Sequence, residues 1–122
     1  MRRWDFEKLV AEALDELPRR FRRHLRNIAV VVEREPSQEL LEDMGLWPGG
    51  TLLGLYQGVP LPQRGLSYGN VLPDRITIFQ KPIEAMCRMR QEIKEAVKET
   101  VIHEIGHYFG LDDERLEELM EG

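Results

Sequence analysis

The sequence predicts an α+β fold in which a small mixed β-sheet packs against helices. Two observations predict it. The elements follow in the order helix, strand, helix, strand, strand, helix, helix, which is typical of a mixed sheet covered by helices. The chain has 122 residues, a length that suits one domain with one core. We therefore predict a single domain over residues 1–122, built around the long helix near its C-terminal end.

The first predicted helix covers residues 5–17, where apolar residues recur at helical spacing. Asp5 is its predicted N-cap, and Pro18 ends it because a proline disfavours helical geometry in the preceding residue. A second helix is predicted to begin after Ser37, whose hydroxyl suits an N-cap, and to end at Gly45, which suits the left-handed conformation after a helix.

Three segments predict strands. Residues 28–33 form a nearly continuous β-branched run, which is typical of a buried strand. Residues 51–57 follow a Pro-Gly-Gly turn and predict the second strand. This strand is either an interior strand or an edge strand on which an extended peptide could pair. Residues 75–80 predict the third strand, with Ile76 and Ile78 on one face.

The remaining segments predict one long loop and three helices. Residues 58–74 are rich in proline and glycine, and a loop of this length is usually functional or mobile. A short helix is predicted at residues 82–86, the long helix at residues 89–109, and a short last helix after Gly110. Two neighbouring stripes run along the long helix: an apolar one predicted for the core (Ile93, Val97, Val101, Ile105) and a small or polar one (Ala96, Thr100, His103, His107).

Composition and charge exclude several classes of function. Hydrophobic residues make up 42% of the chain and charged residues 32%, with a net charge of −5, which indicates a globular protein rather than a disordered one. Five arginines cluster at residues 19–26, and we interpret them as the solvated face of a short helix with Phe21 and Leu25 turned inward. No aromatic residues interleave this cluster in the way a single-strand binder requires, so we expect no nucleic-acid partner.

The cellular setting is predicted from what the sequence contains. Cys87 is the only cysteine, so no intrachain disulfide forms, which suits a reducing compartment. We expect Cys87 to be a small buried residue and His24 an ordinary surface residue. No apolar run approaches the roughly 18 residues of a membrane span, and the start resembles no signal peptide. We predict a cytoplasmic protein, with no membrane partner and a monomeric state favoured.

The strongest motif lies on the long helix. His103 and His107 are four residues apart, so they lie on the same face of a helix and two imidazoles can bind one metal ion. Glu104 lies beside the first histidine, where its carboxylate can reach a water on that metal without binding the metal. This His-Glu-x-x-His spacing indicates a zinc site for hydrolysis, with Glu104 as general base. The reaction it implies is hydrolysis of a polarised carbonyl, and a peptide bond is the favoured substrate group.

A catalytic zinc site typically needs a third protein ligand. The turn at Gly110 would bring later carboxylates back towards the metal, which favours Asp113, then Asp112, then Glu117. Either aspartate could instead cap the last helix. The oxyanion of such a reaction also needs a donor besides the metal, for which the candidates are Tyr56, Arg64, Tyr68 and Tyr108.

At these residues the sequence resembles the zincin metallopeptidases. Its extended form, His-Glu-x-x-His-x-x-Gly-x-x-Asp, resembles the metzincin branch with aspartate as third ligand. The whole chain is similar to small bacterial zincin-like metallopeptidase domains, a resemblance carried by residues 6–18, 53–58 and 73–76 as well as by the motif. The resemblance implies a minimal zincin fold, zinc on His103, His107 and Asp113, Glu104 as catalytic base, and a peptide or protein substrate.

Two functions remain open from the sequence. The first is a zinc-dependent peptidase. The second is a zincin-fold module that binds metal or a protein partner with little or no turnover. Glu104 favours the enzyme, because a structural zinc site has no use for a base and is usually closed by four Cys or His ligands.

Overall fold

The structure, a computed structural model, describes residues 1–58 and 74–108. Within these ranges lie five α-helices and three strands, which confirms the predicted α+β class. In chain order they are α1 (Arg3–Asp15), α2 (Arg19–His24), β1 (Ile28–Glu33), α3 (Gln38–Asp43), β2 (Gly54–Gln57), β3 (Asp74–Phe79), α4 (Gln80–Met86) and α5 (Arg90–Tyr108). A 3-10 turn, Leu25–Asn27, connects α2 to β1.

The three described strands form one mixed sheet in the order β1-β3-β2. β1 runs parallel to β3, and β2 runs antiparallel to it. β3 is the central strand, and both of its faces are covered: Ile76 and Ile78 are fully buried on one face, and Thr77 and Phe79 are buried on the other. The prediction that β1 is a buried strand is wrong, since only Val32 in it is buried. Among the described strands β1 pairs with β3 alone, and its β-branched composition reflects strand geometry more than burial.

β2 is shorter than predicted, beginning at Gly54 rather than at residue 51. The reason lies in its partner. Leu53 accepts a hydrogen bond from the backbone N–H of Phe79 at 2.9 Å, but the chain turns into α4 at Gln80. Residues 51 and 52 therefore lie beyond the end of β3, and a bend at Leu53 separates them from β2.

The helix caps are partly as predicted. Ser37 caps α3, its Oγ accepting the backbone N–H of Leu40 at 3.1 Å, and Gly45 follows the helix with φ +73°. The prediction of Asp5 as N-cap of α1 is wrong, because the helix begins at Arg3 and Asp5 lies in its first turn. There the carboxylate still favours the positive end of the helix dipole, and the Arg3–Glu7 pair at i, i+4 supports the earlier start.

The core lies between α1, α5 and the sheet. All four residues of the predicted apolar stripe on α5 are buried, and α1 contributes Phe6, Leu9, Val10 and Ala13 from the other side. α4 adds Ile83, which is fully buried. The long helix therefore has its apolar stripe in the core, and the histidines of its neighbouring stripe are exposed.

The predictions for single surface residues can be compared with the structure. In α2, Phe21 is buried and the arginines are exposed, with Leu25 half-buried after the helix, as predicted for a solvated basic face. Cys87 is half-buried against the core, and burial raises the pKa of its thiol, with Glu92 adding to the effect. His24 is exposed, as predicted. No helix in the described part of the chain is long and apolar enough to cross a membrane.

Several predictions fall on residues 59–73 and 109–122, outside the described residues. They are most of the long loop with Arg64 and Tyr68, the turn at Gly110, the carboxylates Asp112, Asp113 and Glu117, and the short last helix. These remain predictions.

α1 and α5 are joined by ion pairs at their exposed edges. Glu16, next to α1, contacts Lys94 at 2.5 Å and Lys98 at 3.0 Å on α5. Hydrogen bonds from Lys94 first, and from Lys98, hold the pKa of the Glu16 carboxyl below its ordinary range. Both ammonium groups donate hydrogen bonds to carboxylates, and these bonds raise their pKa values. Lys94 donates to Glu16, and Lys98 donates to Glu95, the larger effect, and to Glu16.

We expect Glu16→Gln to lower the melting temperature at neutral pH but not in acid. A carboxyl group whose pKa is lowered in the folded state stabilises that state at pH values above the ordinary glutamate pKa, about 4.3. This stabilisation is lost as the pH falls through the lowered pKa. The loss at pH 7 is expected to be small because the carboxylate is partly exposed. Thermal unfolding between pH 3 and pH 7 checks it, with Asp15→Asn as the neighbouring control. If the melting temperature of Glu16→Gln differs from that of wild type by the same amount at pH 3 and at pH 7, the ionised Glu16 carboxylate is not the source of the stabilisation.

Candidate metal and catalytic site

His103 and His107 lie on one exposed face of α5. Both side chains are exposed, and their ring centroids are 6.2 Å apart with the rings tilted by 53°. In a tetrahedral site with Zn–N bonds of roughly 2.0–2.1 Å, the centroids of two bound imidazoles lie about 5 Å apart. The observed separation is about 1 Å wider, so the two rings share a face and would have to turn towards each other to bind one ion.

The third ligand is not among the described residues. Within residues 1–58 and 74–108, no group of three His, Cys, Asp or Glu side chains could hold a metal. The predicted third ligand Asp113 and its alternative Asp112 lie in residues 109–122, outside the described residues.

Glu104 is held by a backbone group of β2. Its Oε1 accepts a hydrogen bond from the backbone N–H of Tyr56 at 2.8 Å. Its Oε2 lies 3.9 Å from Nδ1 of His107, and the side chain is only 20% exposed. The contact fixes one carboxylate oxygen and leaves the other on the side of the histidines, which is the arrangement that a general base beside a metal requires.

The Tyr56 N–H reaches Glu104 because of the strand register. In an antiparallel ladder, alternate residues direct their N–H and C=O groups to the partner strand and away from it. The hydrogen bond from Phe79 to Leu53 and the pairing Leu55↔Thr77 set this alternation. Gly54 and Tyr56 therefore direct their backbone groups away from β3. Among the described strands β2 is an edge strand, so this is the free edge of the sheet.

Gly54 permits the close approach of β2 to α5. A Cβ atom at this position would lie 2.5 Å from Cγ2 of Thr100 and 3.1 Å from the backbone oxygen of Thr77. Thr100 is 8% exposed and donates a hydrogen bond from Oγ1 to the Ala96 oxygen at 2.7 Å, which limits its freedom to move aside. A larger residue than glycine would therefore push the strand away from the helix.

The structure also places one of the candidate oxyanion donors. The hydroxyl of Tyr56 donates a hydrogen bond to Oδ2 of Asp74 at 2.7 Å, and Asp74 is 7% exposed. This side-chain contact ties β2 to β3 beside the point at which the Tyr56 N–H holds Glu104. Tyr56 is therefore placed to support the site through its backbone, with its hydroxyl committed to Asp74 in this structure.

A cleft of about 290 Å³ lies between β2 and α5. Ala96, Thr100, His103 and Glu104 line it from the helix, and residues 51–54 line it from the strand side. The predicted small and polar stripe of α5 thus forms one wall of an open space that contains the candidate base.

Two features of this site are not predicted from the sequence. The hydrogen bond from Tyr56 to Glu104 depends on which backbone groups of β2 face outward, and alternation of side chains does not reveal that. The role of Gly54 depends on the packing distance between β2 and α5. A glycine inside a predicted strand is a signal of close backbone approach, and it is the one indication the sequence offers.

Comparison with known proteins shows the family and the fold of the chain. The model of the zincin-like metallopeptidase family matches residues 25–122, more than half of the chain and all of the motif. The chain belongs to the zincin-like metallopeptidase family. Among solved structures, a conserved hypothetical protein from T. thermophilus shares the fold with 22% identity and a TM-score of 0.55, over 89% of this chain and 94% of that chain. None of the curated proteins compared with the chain is significantly similar to it.

We expect Gly54→Ala to destabilise the protein by about 1–3 kcal/mol, the usual cost of overpacking. The added methyl group meets Cγ2 of Thr100, so Thr100→Ser, which removes that group, should restore most of the loss in the double variant. Thermal or denaturant unfolding of the two single variants and the double variant measures the coupling. If the free-energy changes of the two single variants simply add in the double variant, the methyl group of Thr100 is not what excludes a side chain at position 54.

Proposed function

We propose that the chain is a zinc-dependent metallopeptidase that hydrolyses peptide bonds, with Glu104 as general base. The observation that carries the proposal is the position of the Glu104 carboxylate. It lies between the two histidines of α5 and the free edge of β2, with one oxygen held by the Tyr56 N–H. Membership of the zincin-like metallopeptidase family supports it.

The residues that would hold zinc are His103, His107 and Asp113, with Asp112 as the alternative third ligand. The ion, when bound in such a site, supplies Lewis acidity that lowers the pKa of water and polarises a carbonyl group. The exposed imidazoles on one helix face and the carboxylates that follow in the chain at residues 112 and 113 provide a donor set of the kind zinc takes at catalytic sites.

Glu104 performs the proton transfers in this proposal. Its Oε1 stays on the Tyr56 N–H, so Oε2 takes a proton from the attacking water and delivers it to the nitrogen of the departing amine. The carboxylate can serve both steps without moving far, because the hydrogen bond fixes the rotation of the side chain. Its low exposure also limits competition from bulk water.

The free edge of β2 is the proposed substrate-binding strand. The outward backbone groups of Gly54 and Tyr56 border the cleft, and an extended peptide can pair with such an edge through main-chain hydrogen bonds. Since the Tyr56 N–H is occupied by Glu104, the peptide would pair with the backbone groups of Gly54. This places its backbone alongside the candidate base.

We expect Glu104→Gln to retain zinc and to lower kcat by at least about 10²–10⁴-fold, the usual contribution of a general base. The amide oxygen can still accept the Tyr56 N–H, so the fold and the ligands are preserved while the proton acceptor is lost. Metal analysis and cleavage of a mixed peptide library by wild type, Glu104→Gln and the control Glu95→Gln measure both effects. Equal turnover by wild type and Glu104→Gln removes Glu104 from the mechanism. Zinc without cleavage by wild type favours a metal-binding or interaction module.

We expect Asp113→Ala to weaken zinc affinity by about tenfold or more relative to Asp112→Ala, since loss of a direct ligand exceeds the 10–100-fold effects of outer partners. Competition with a chromophoric chelator measures the two affinities. Both variants remove one carboxylate from adjacent positions, so each controls for the charge lost in the other. The reverse order would assign Asp112 as the ligand.

A further inference from the structure

A second cavity continues the catalytic cleft away from the histidines. It has a volume of about 630 Å³, and it shares Thr51, Leu53 and Met86 with the cleft that contains His103 and Glu104. The two spaces therefore adjoin at these three residues. We call the second cavity the distal groove.

The walls of the distal groove are largely apolar. One wall comes from α4 and the other from the segment around Trp47, and the lining includes Pro36, Leu41, Trp47, Pro82, Ala85 and Met86. Trp47 is 47% exposed and Met86 is 61% exposed. Large apolar side chains that share an exposed concave surface mark binding sites in folded proteins. One acidic and one basic residue, Glu35 and Lys81, also line the groove, so it has no strong charge preference.

The segment that presents Trp47 has a defined backbone. Gly50 donates its N–H to the Leu46 oxygen at 2.7 Å, and a Cβ atom at Gly50 would meet that oxygen at the same distance. Gly49 has φ +96°, a conformation that glycine adopts without strain. A turn closed in this way fixes the backbone position from which Trp47 reaches the groove, which reduces the entropy lost on binding.

We infer that the distal groove is a remote specificity subsite, which takes an apolar side chain of the extended peptide substrate several residues from the scissile bond. The inference rests on the proposed peptidase function and adds to it a substrate class: longer peptides with an apolar residue at a fixed distance from the cleavage point. The occupant follows from continuity, because a peptide that lies beside Glu104 in the cleft and extends past Gly54 meets the distal groove at Thr51 and Leu53, which line both spaces.

The spacing sets a sufficient substrate length. Thr51 lies five residues before Tyr56, the residue that holds Glu104, and five extended residues span at most about 18 Å. A peptide with about five extended residues on one side of the reacting bond therefore covers the distance to the groove. Peptides of ten residues are long enough in either direction, whereas peptides of four residues have at most three residues on either side of the bond.

The test uses full-length protein and two sets of synthetic peptides, one of four residues and one of ten. The ten-residue set carries leucine, phenylalanine or serine near each end. We expect Trp47→Ala to raise KM for ten-residue peptides with leucine or phenylalanine by about tenfold, the size expected for an exposed aromatic anchor. Cleavage of the four-residue and serine peptides should not change. Trp4→Ala is the matched control, because Trp4 is exposed on α1 and lines neither space.

A second readout does not depend on turnover. In a Trp4→Phe, Glu104→Gln protein, Trp47 is the only tryptophan, and its emission should shift to shorter wavelength with ten-residue apolar peptides and not with four-residue ones. Melting temperatures confirm that each variant is folded. No emission shift, or equal KM values for wild type and Trp47→Ala, overturns the inference. An emission shift without cleavage by zinc-loaded wild type overturns the peptidase proposal and leaves the groove as a peptide-binding site.

Discussion

The close approach of β2 to α5 is the constraint on which the candidate site depends. At Gly54 there is no room for a side chain, because the methyl group of Thr100 lies where a Cβ atom would be. Two residues further along, that closeness lets a backbone N–H reach the Glu104 carboxylate at 2.8 Å. If β2 and α5 were farther apart by the width of a methyl group, the Tyr56 N–H could not donate this hydrogen bond to Glu104. The packing of an aliphatic contact thus determines the position of a charged group.

The helix α5 contributes to both the core and the candidate site, each through a different stripe of residues. Val97, Val101 and Ile105 are fully buried and fix the rotation of α5 about its axis. With the rotation fixed, His103 and His107 lie on the adjacent, exposed face of the helix. α1 packs against α5, and Glu16 reaches across to Lys94 and Lys98. The helix is therefore held from the side opposite the candidate site.

The helix α1, which makes these contacts, lies outside the part of the chain that matches the family model and begins at Leu25. Phe6 and Ala13 of α1 are fully buried in the same core as the apolar stripe of α5. A helix that presents two imidazoles and a carboxylate to one ligand must keep its position to within a fraction of an ångström. α1 supplies contacts for this purpose without contributing a side chain to the cleft.

Local chemistry made much of this structure predictable from the sequence. The Ser37 cap, the turn at Gly45 and the buried stripe of α5 follow from interactions within a few residues, and the structure has them. The wrong prediction for β1 concerns a partner that is distant in the chain, since β1 has the composition of a buried strand but pairs, among the strands that the structure describes, with β3 alone. The cap predicted at Asp5 is wrong for a different reason: the Arg3–Glu7 pair supports a helix that starts two residues earlier.

The candidate site divides along the same line. The spacing of His103, Glu104 and His107 is helical, so the sequence reveals which side chains share a face. The partner of Glu104 is a backbone group 48 residues away, selected by the register between β2 and β3. A shift of one residue in that register would direct the N–H of Tyr56 to β3 and leave the carboxylate without this donor. The motif therefore specifies the reacting groups, whereas the sheet specifies which oxygen of the carboxylate is available to react.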